Sequence, residues 1–225
     1  MSQATAAVIP AAGAGVRLAA GAPEPPKALR SVAGRALLEL SVDALAPLVD
    51  EVIVVAPPNF VDPVQGVLGN AAGPRVVAGG STRQESVRLG LAALGPAAAY
   101  VVVHDAARPL VPPDLVQRVL DALLAGAEAV VPVLPVTDSL RRRRPDGDSE
   151  PVDRESLVAV QTPQGFRREV LERAHSAAAG HGATDDASLV QSLGVRVATV
   201  DGSPLAFKVT TRLDLLLVEA LVTTR

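Results

Sequence analysis

Short apolar runs alternate with amphipathic stretches along the first 133 residues of the chain. An apolar run bounded by polar or turn residues is typical of a strand that is buried on both faces. Such runs predict strands at 6–9, 52–55, 75–78, 100–103 and 129–133. Apolar residues three or four positions apart predict helices at 36–48 and 60–69, from 81 or 82 to 94, and at 113–125. This alternation predicts an α/β fold with a doubly wound, mostly parallel, Rossmann-like sheet.

The pattern changes after residue 133, where a polar hairpin interrupts the alternation. Strand-like segments at 135–140 and 152–160 flank a run of four arginines and a Pro-Asp-Gly turn. They predict a β-hairpin arm, placed at 136–160, that protrudes from a single domain of residues 1–225. Acidic residues offset the arginines within a few positions, so a solvated hairpin tip explains the run better than a nucleic-acid contact does.

Four further elements follow the arm. The pattern predicts helices at 167–179 and 185–193, a strand at 195–200 and a final helix from Leu213. Leu and Val occupy almost every side of the final helix, which predicts that it is buried, with a second subunit as one candidate for the covering surface.

Composition narrows the class of protein. Of the 225 residues, 48% are hydrophobic but only 2% are aromatic, and the chain has one Tyr and no Trp. Few aromatics disfavour stacking on single-stranded nucleic acid, and a net charge of −3 disfavours a surface that coats a polyanion. There is no cysteine for a disulfide or a thiolate site, and no N-terminal segment typical of a signal peptide or membrane span. We therefore expect a soluble cytoplasmic protein that binds neither nucleic acid nor a membrane.

A small-residue loop follows the first predicted strand. It starts at Pro10, contains two glycines, and is followed by Arg17 and later by Lys27. Glycine lets backbone N–H groups approach a phosphate closely, and the two cations add charge-assisted contacts, although both could be ordinary surface residues. The loop lacks the Lys-Ser/Thr ending of a P-loop and the third glycine of a dinucleotide fingerprint. It predicts a nucleoside triphosphate bound by a different kind of loop.

Two other clusters, at 79–86 and 104–109, also follow predicted strands, where ligands bind in open α/β sheets. Asp105 suits Mg²⁺, which takes oxygen ligands, although a turn aspartate is an equal alternative. His104 is expected to be a neutral, hydrogen-bonding histidine. Lys208 lies in an apolar stretch and must reach a counter-charge, water or a bound phosphate. Arg154 is predicted to lie inside the returning strand of the arm. An ion pair with its acidic neighbours is the alternative to a role in ligand binding.

These motifs together resemble the 2-C-methyl-D-erythritol 4-phosphate cytidylyltransferase family. The likeness covers essentially the full length, in the order PAAGAGVRL, PPK, GGSTRQESV, VHDAARP, PVTDS, VDR, TPQGF, TDDAS and FKVT. It implies a nucleotidyltransferase that uses CTP, a polyol phosphate and Mg²⁺ and releases pyrophosphate. It also implies a homodimer whose hairpin arms embrace, so that each active site takes residues from both chains.

The resemblance also implies roles for individual residues. Arg17, Lys27 and Lys208 would be catalytic and would stabilise charge on the triphosphate, and Asp105 would hold the metal. The nucleotide would contact Pro10, Ala11, Ala12, Gly13, Ala14, Gly15, Gly80, Ser81, Ser86, Asp105 and Ala106. The polyol phosphate would contact Arg108, Ser139, Arg154 and Thr162, with Ser139 and Arg154 supplied by the partner's arm.

Two other functions fit the same residues. A ribitol 5-phosphate cytidylyltransferase would share the fold and the nucleotide loop and differ in the polyol pocket. A non-catalytic nucleotide-binding module would keep the fold without turnover, but the joint presence of Arg17, Lys27, Asp105 and Lys208 argues against it.

Overall fold

A mixed sheet of eight strands forms the centre of the computed structural model, which describes residues 4–12, 26–69, 73–178 and 185–224. The strands are β1 (Ala4–Pro10), β2 (Ser31–Val32), β3 (Arg35–Ala36), β4 (Glu51–Ala56), β5 (Arg75–Ala78), β6 (Ala98–Val103), β7 (Ala129–Pro135), β8 (Leu140–Arg143), β9 (Ser149–Val152), β10 (Val158–Val160), β11 (Gln164–Arg167) and β12 (Val197–Asp201). The helices are α1 (Leu37–Leu45), α2 (Val61–Leu68), α3 (Arg83–Ala93), α4 (Pro113–Leu124), α5 (Arg168–Ala177), α6 (Asp186–Ser192) and α7 (Arg212–Thr223).

The main sheet has the order β5-β4-β1-β6-β11-β7-β12, and β10 pairs with the far end of β7. The strands β5, β4, β1, β6, β7 and β12 run in one direction, whereas β10 and β11 are antiparallel to their neighbours. The predicted α/β, mostly parallel sheet is therefore confirmed. Because β11 lies between β6 and β7, its first residues lie at the edge where the parallel strands end.

Helices cover both faces of the sheet, as a doubly wound fold requires. Alternate residues of β1 point to opposite faces: Ala7 and Ile9 pack with α1 and α4, whereas Ala6 and Val8 pack with α3, α5 and α6. A smaller third cluster joins α1 to α7. In the described part of the chain, every helix is too short or too polar to span a bilayer.

The arm departs from the prediction in its strands. β8 pairs with β9 around the Pro-Asp-Gly tip, but the predicted continuous strand at 152–160 is wrong. Arg154–Ser156 forms a short 3-10 turn because the Asp153 carboxylate accepts a hydrogen bond from the Glu155 N–H, and β10 then rejoins the sheet. Arg154 therefore lies in a turn and not in a strand. The exposed arginine run at the tip confirms the prediction of a solvated hairpin end.

The last helix, α7, also departs from its prediction. Among its described residues only Val218 is buried, whereas the side chains of Leu213, Leu216 and Leu217 are 73%, 56% and 47% exposed. The predicted burial is therefore wrong for the single chain, because the helix lies at the periphery and turns one face to the third cluster.

Candidate active site

Three loops meet where the parallel strands end. The Ala11 N–H donates to the Val55 carbonyl at 2.8 Å, the Gly79 N–H to the Ala56 carbonyl at 2.7 Å, and the His104 N–H to the Val8 carbonyl at 3.0 Å. These bonds continue the strand ladders by one residue. They bring together the loops that follow β1, β5 and β6, the three positions at which the sequence predicts a ligand.

The glycine turn after β5 packs closely against the first loop. A Cβ atom on Gly79 would lie 2.8 Å from the Ser86 Oγ and 3.0 Å from the Ala12 Cβ, so a larger residue would clash. The Gly80 N–H donates to the Ser86 Oγ at 3.2 Å, and the Ser86 hydroxyl donates to the Thr82 carbonyl. Ser86 is buried in α3. The structure thus places Ala12, Gly80 and Ser86, three of the predicted nucleotide-binding residues, next to one another.

A side-chain cap begins α3. Thr82 is the N-cap, and its Oγ1 accepts the Glu85 N–H at 3.0 Å. The Glu85 carboxylate reaches past Thr82 and accepts both the N–H and the hydroxyl of Ser81. The Ser81 backbone and its hydroxyl therefore lower the pKa of Glu85. The cap fixes the 79–82 turn, with Ser81 exposed at its tip.

Asp105 forms the centre of a charged cluster at the end of β6. Its Oδ2 accepts the Lys208 Nζ at 2.7 Å, and its Oδ1 accepts the Arg83 Nε at 3.3 Å. The Arg108 Nε lies 4.0 Å from Oδ2, and Arg83 also donates to the Asp186 Oδ2 at 2.7 Å. Three cations against two carboxylates leave one excess positive charge (3 − 2 = 1), which favours an anionic ligand.

Two hydrogen bonds hold the C-terminal part of the chain against the cluster. The Val209 N–H donates to the Ala107 carbonyl at 2.8 Å, and an Arg108 Nη donates to the Ala206 carbonyl at 2.6 Å. Lys208 lies between these two contacts, next to the β6 loop. Its side chain reaches the Asp105 carboxylate, which is the counter-charge that its apolar sequence context demanded.

Neighbouring cations keep Asp105 ionised. Burial opposes ionisation, but the charges of Arg83 and Lys208 and the Lys208 hydrogen bond outweigh it and hold the pKa of Asp105 well below its usual range. A carboxylate offers about four lone-pair positions, and hydrogen bonds use two of them here. Within the described residues, no group of three or more acidic or histidine side chains could hold a metal by itself.

The buried side chains of His104 and Thr162 hold the loop that follows β6. The Thr162 hydroxyl oxygen accepts the Asp105 N–H at 3.1 Å and lies 3.1 Å from the His104 Nδ1, and both side chains are buried. Burial lowers the pKa of His104 to about 4. The prediction of a neutral, hydrogen-bonding histidine is confirmed. Ala106 is likewise buried, and its carbonyl accepts the Ser41 hydroxyl at 3.1 Å.

The other predicted site residues lie outside the contacts given above. Gly13, Ala14, Gly15 and Arg17 lie outside the described residues, and Pro10 ends β1. Lys27 begins a 3-10 turn at Lys27–Leu29 and is partly buried. Ser139 and Arg154 are exposed on the arm, where an Arg154 Nη donates to the Thr137 carbonyl at 2.6 Å. In the described structure of this chain, neither contacts the cluster around Asp105 through a hydrogen bond or an ion pair.

Sequence reasoning missed the role of Arg83, which contacts both carboxylates of the cluster. Arg83 is the first residue of α3, and a cation at a helix N-terminus is disfavoured by the helix dipole. That conflict is the signal that could have pointed to nearby carboxylates. The sequence predicts a helix at 185–193, and Asp186 lies at its start directly after the N-cap Asp185, but Asp186 also binds Arg83 and His175.

A doubly wound sheet with a positively charged cluster beside a glycine turn at its carboxyl edge defines an α/β protein of the nucleotide-binding class. The family model described as 2-C-methyl-D-erythritol 4-phosphate cytidylyltransferase matches residues 5–224. This chain belongs to that family.

Known relatives are similar to this chain over nearly its whole length. The Streptomyces coelicolor 2-C-methyl-D-erythritol 4-phosphate cytidylyltransferase is 51% identical over 235 residues, which cover 98% of this chain and 86% of that protein. The Deinococcus radiodurans protein of that name is 51% identical over 219 residues, which cover 96% and 89%. The crystal structure of the Thermus thermophilus protein of the same name matches with a TM-score of 0.81 and 42% identity, covering 97% of this chain and 98% of that one.

Proposed function

We propose that this protein transfers the cytidylyl group of CTP to 2-C-methyl-D-erythritol 4-phosphate and so forms 4-diphosphocytidyl-2-C-methyl-D-erythritol and pyrophosphate. The observation that carries the proposal is the cluster of Lys208, Arg83 and Arg108 around Asp105, beside the turn at Gly79 and Gly80. A site with excess positive charge and close-packed small residues suits a nucleoside triphosphate. Family membership supplies the particular nucleotide and polyol phosphate.

The chemistry requires two polyanions to meet in line. An oxygen of the substrate phosphate attacks the α-phosphorus of CTP, and the bond to the β-phosphate oxygen breaks as pyrophosphate leaves. No protein nucleophile takes part, so the protein contributes positioning and charge neutralisation. We assign the charge neutralisation to Arg17, Lys27 and Lys208. Lys208 is bound to Asp105 here, so it must exchange that partner for phosphate oxygens.

The site fits Mg²⁺ with Asp105 as a single protein ligand among several oxygen ligands. Mg²⁺ commonly keeps several waters and takes one or two carboxylates together with substrate phosphates. Asp105 is ionised and has unused lone pairs, so it can supply that carboxylate. When bound, the ion would neutralise phosphate charge and orient the triphosphate.

We assign the nucleotide contacts to the 10–15 loop, Gly80, Ser81, Ser86 and Ala106. Close packing of Ala12 and Ser86 against the turn at Gly79 supports a pocket that admits a pyrimidine and excludes a purine.

We assign the polyol phosphate to Arg108, Thr162, Ser139 and Arg154. Arg108 supports this assignment because its buried Nε has no hydrogen-bond partner in the described structure. Thr162 has its hydroxyl engaged by the β6 loop and would act mainly by holding that loop.

Product analysis with two polyol phosphates tests the proposal. The native protein is incubated with CTP and Mg²⁺ and either 2-C-methyl-D-erythritol 4-phosphate or ribitol 5-phosphate, and pyrophosphate release is followed. We expect release with the methylerythritol phosphate and a large loss in Lys208→Ala. Release with ribitol 5-phosphate alone, or CTP binding without any release, would contradict the proposed reaction.

We also propose that the protein acts as a homodimer in which the arm of one chain completes the site of the other. The positions of Ser139 and Arg154, exposed on the arm and without contact to the Asp105 cluster, support this arrangement. Exposed apolar side chains on β10, with Val158 at 52% and Val160 at 41%, offer a surface that a partner could cover.

Subunit mixing tests the shared site directly. Arg154→Ala and Lys208→Ala are each expected to be nearly inactive alone, but a mixed dimer would contain one site with an intact arm and an intact cluster. Random mixing should therefore restore about a quarter of the native activity, because half of the dimers are mixed and half of their sites are complete. Mixtures that stay as inactive as the separate variants would rule out sites shared between chains.

A further inference from the structure

A chain of charged side chains extends from the Asp105 cluster into the helical layer. Arg83 bonds Asp105 on one side and Asp186 on the other, and the Asp186 Oδ1 lies 3.0 Å from the His175 Nε2. Asp186 and His175 are almost completely buried, whereas the Arg83 side chain is 31% exposed. The order is thus His175, Asp186, Arg83, Asp105 and Lys208, of which the reaction as described above uses only the last two.

Asp186 fixes Arg83 in place. Burial of Asp186 opposes its ionisation, but the His175 hydrogen bond and the Arg83 charge outweigh it and lower its pKa. Removing a cationic partner from a buried carboxylate costs folding free energy, so Arg83 is held towards Asp186. The fork of an arginine can bond a second carboxylate from the same position, which a lysine ammonium cannot do with the same geometry.

Asp105 therefore binds two cations, one on each carboxylate oxygen, and these cations are anchored differently. Arg83 is anchored by a second carboxylate, whereas Lys208 is 40% exposed and bonds only Asp105 among the described residues. If Lys208 turns to a phosphate, Arg83 remains to neutralise Asp105. Without Arg83, Lys208 would be the one side-chain hydrogen-bond donor left to Asp105 among the described residues, with the Arg108 Nε 4.0 Å away, so the carboxylate would hold Lys208 more tightly.

We propose that Arg83 is a positioning residue that satisfies Asp105 and so releases Lys208 from it to the phosphates of the nucleotide. The step at the phosphates rests on the proposed function, whereas the joint binding of Asp105 by Arg83 and Lys208 does not. Arg83 does not need to touch the nucleotide, because it acts through Asp105.

The composition of the chain allows a direct measurement. Lys27 and Lys208 are the only two lysines in the sequence. An amine-reactive acetylating reagent followed by peptide mapping therefore reports on Lys208, with Lys27 as an internal reference. The ion pair with Asp105 protects the Lys208 amine, so the rate of labelling without nucleotide measures how firmly it is held.

We expect Arg83→Gln to slow the labelling of Lys208 about two- to fivefold, the range for a partly exposed ion pair, with Lys27 unchanged. Asp105→Asn is the opposing control and should speed it. Glu172→Gln, which removes the partner of Arg168 in an ion pair far from Asp105 in sequence, should leave it unchanged. A variant that is merely destabilised would expose both lysines and raise their labelling, which is the opposite result.

In turnover, Arg83→Gln should lower kcat about tenfold or more, since a misplaced catalytic group can cost about 10²-fold. If Arg83→Gln does not fold, Arg83→Lys is used and should slow Lys208 labelling by less. If Lys208 in the folded variant is labelled at the same rate as in the native protein, the inference is overturned. Weaker CTP binding together with that unchanged rate would mean that Arg83 contacts the nucleotide directly. A native protein that transfers no cytidylyl group would refute the proposed function only, and labelling would still decide the role of Arg83.

Discussion

The charge state of a single side chain in this protein depends on the neighbours that neutralise or desolvate it. His104 and Asp105 are adjacent in sequence, yet burial makes the first neutral while the surrounding cations keep the second ionised. The Thr162 hydroxyl links them by accepting the Asp105 N–H and lying beside the His104 ring. The β6 loop therefore presents a fixed carboxylate on a support that carries no charge at neutral pH.

This contrast predicts a pH dependence of stability. The pKa of His104 falls from 6.5 in the unfolded chain to about 4 in the fold, so between these values the unfolded state binds more protons and stability rises with pH. The unfolding free energy should fall by on the order of 3 kcal/mol as the pH is lowered from about 6.5 to about 4. Urea titrations in buffer free of divalent cations measure it. His104→Gln should flatten the slope, and an unchanged slope in that variant would contradict the assignment.

A second prediction at this scale concerns Lys27, whose ammonium we place near the charge that develops at the α-phosphorus. Lys27→Ala should lower kcat about 10²-fold or more, as loss of one transition-state contact does, and weaken CTP binding far less. Steady-state kinetics and calorimetric titration with CTP separate the two. An unchanged kcat with a raised KM would mean that Lys27 contributes equally to ground and transition state.

At the scale of elements, the packing of α3 on the sheet depends on the absence of a side chain. A Cβ atom on Gly90 would lie 2.6 Å from a Val8 methyl and 2.8 Å from a Val55 methyl, both fully buried. Gly90 thus sets how close α3 lies to β1 and β4. Since α3 begins at Arg83 and contains Ser86, this distance also positions part of the site.

Two glycines in helices give a matched pair of substitutions. Gly90→Ala should destabilise the fold by about 1–3 kcal/mol because it overpacks the core. Gly66→Ala, in α2 with no atom within 4 Å of the new Cβ, should instead stabilise it by up to about 1 kcal/mol through helix propensity. Thermal and urea unfolding measure both. Equal effects of the two substitutions would show that close packing does not determine the role of Gly90.

At the scale of the whole molecule, the predicted site residues of a single chain lie in two separate places. The cluster at Asp105 is assembled from loops far apart in sequence, whereas Ser139 and Arg154 stay exposed on the arm. The exposed leucines of α7 and valines of β10 add apolar surface that the single chain leaves uncovered. Both features fit a protein whose working unit contains more than one copy.

Removing the arm tests this directly. For the proposed homodimer, replacing residues 140–151 by a short Gly-Ser link should give a monomer and abolish polyol-phosphate use while leaving CTP binding measurable. Sedimentation and turnover assays report the two effects. Asp146→Ala, which changes only the exposed tip, is the matched control and should behave as the native protein. A fully active monomer without the arm would refute the shared site.

Local patterns determined much of this structure. The apolar runs placed the strands of the parallel core because buried parallel strands need continuous apolar sequence, and the glycine turns and small-residue loop marked the ends of β1 and β5. The position of His104 and Asp105 after β6 followed in the same way. The motif order was sufficient for the family, since it depends on residue identity alone.

Tertiary structure decided what sequence spacing cannot express. Arg83 is 22 residues from Asp105 and 103 from Asp186, and only the packing of α3 and α6 on one face of the sheet brings these charges together. The placement of β11 between β6 and β7, the turn at Arg154 and the exposed face of α7 likewise depend on partners distant in the chain. Helical and strand periodicity report which faces are apolar, but burial and ion pairing depend on what packs against those faces.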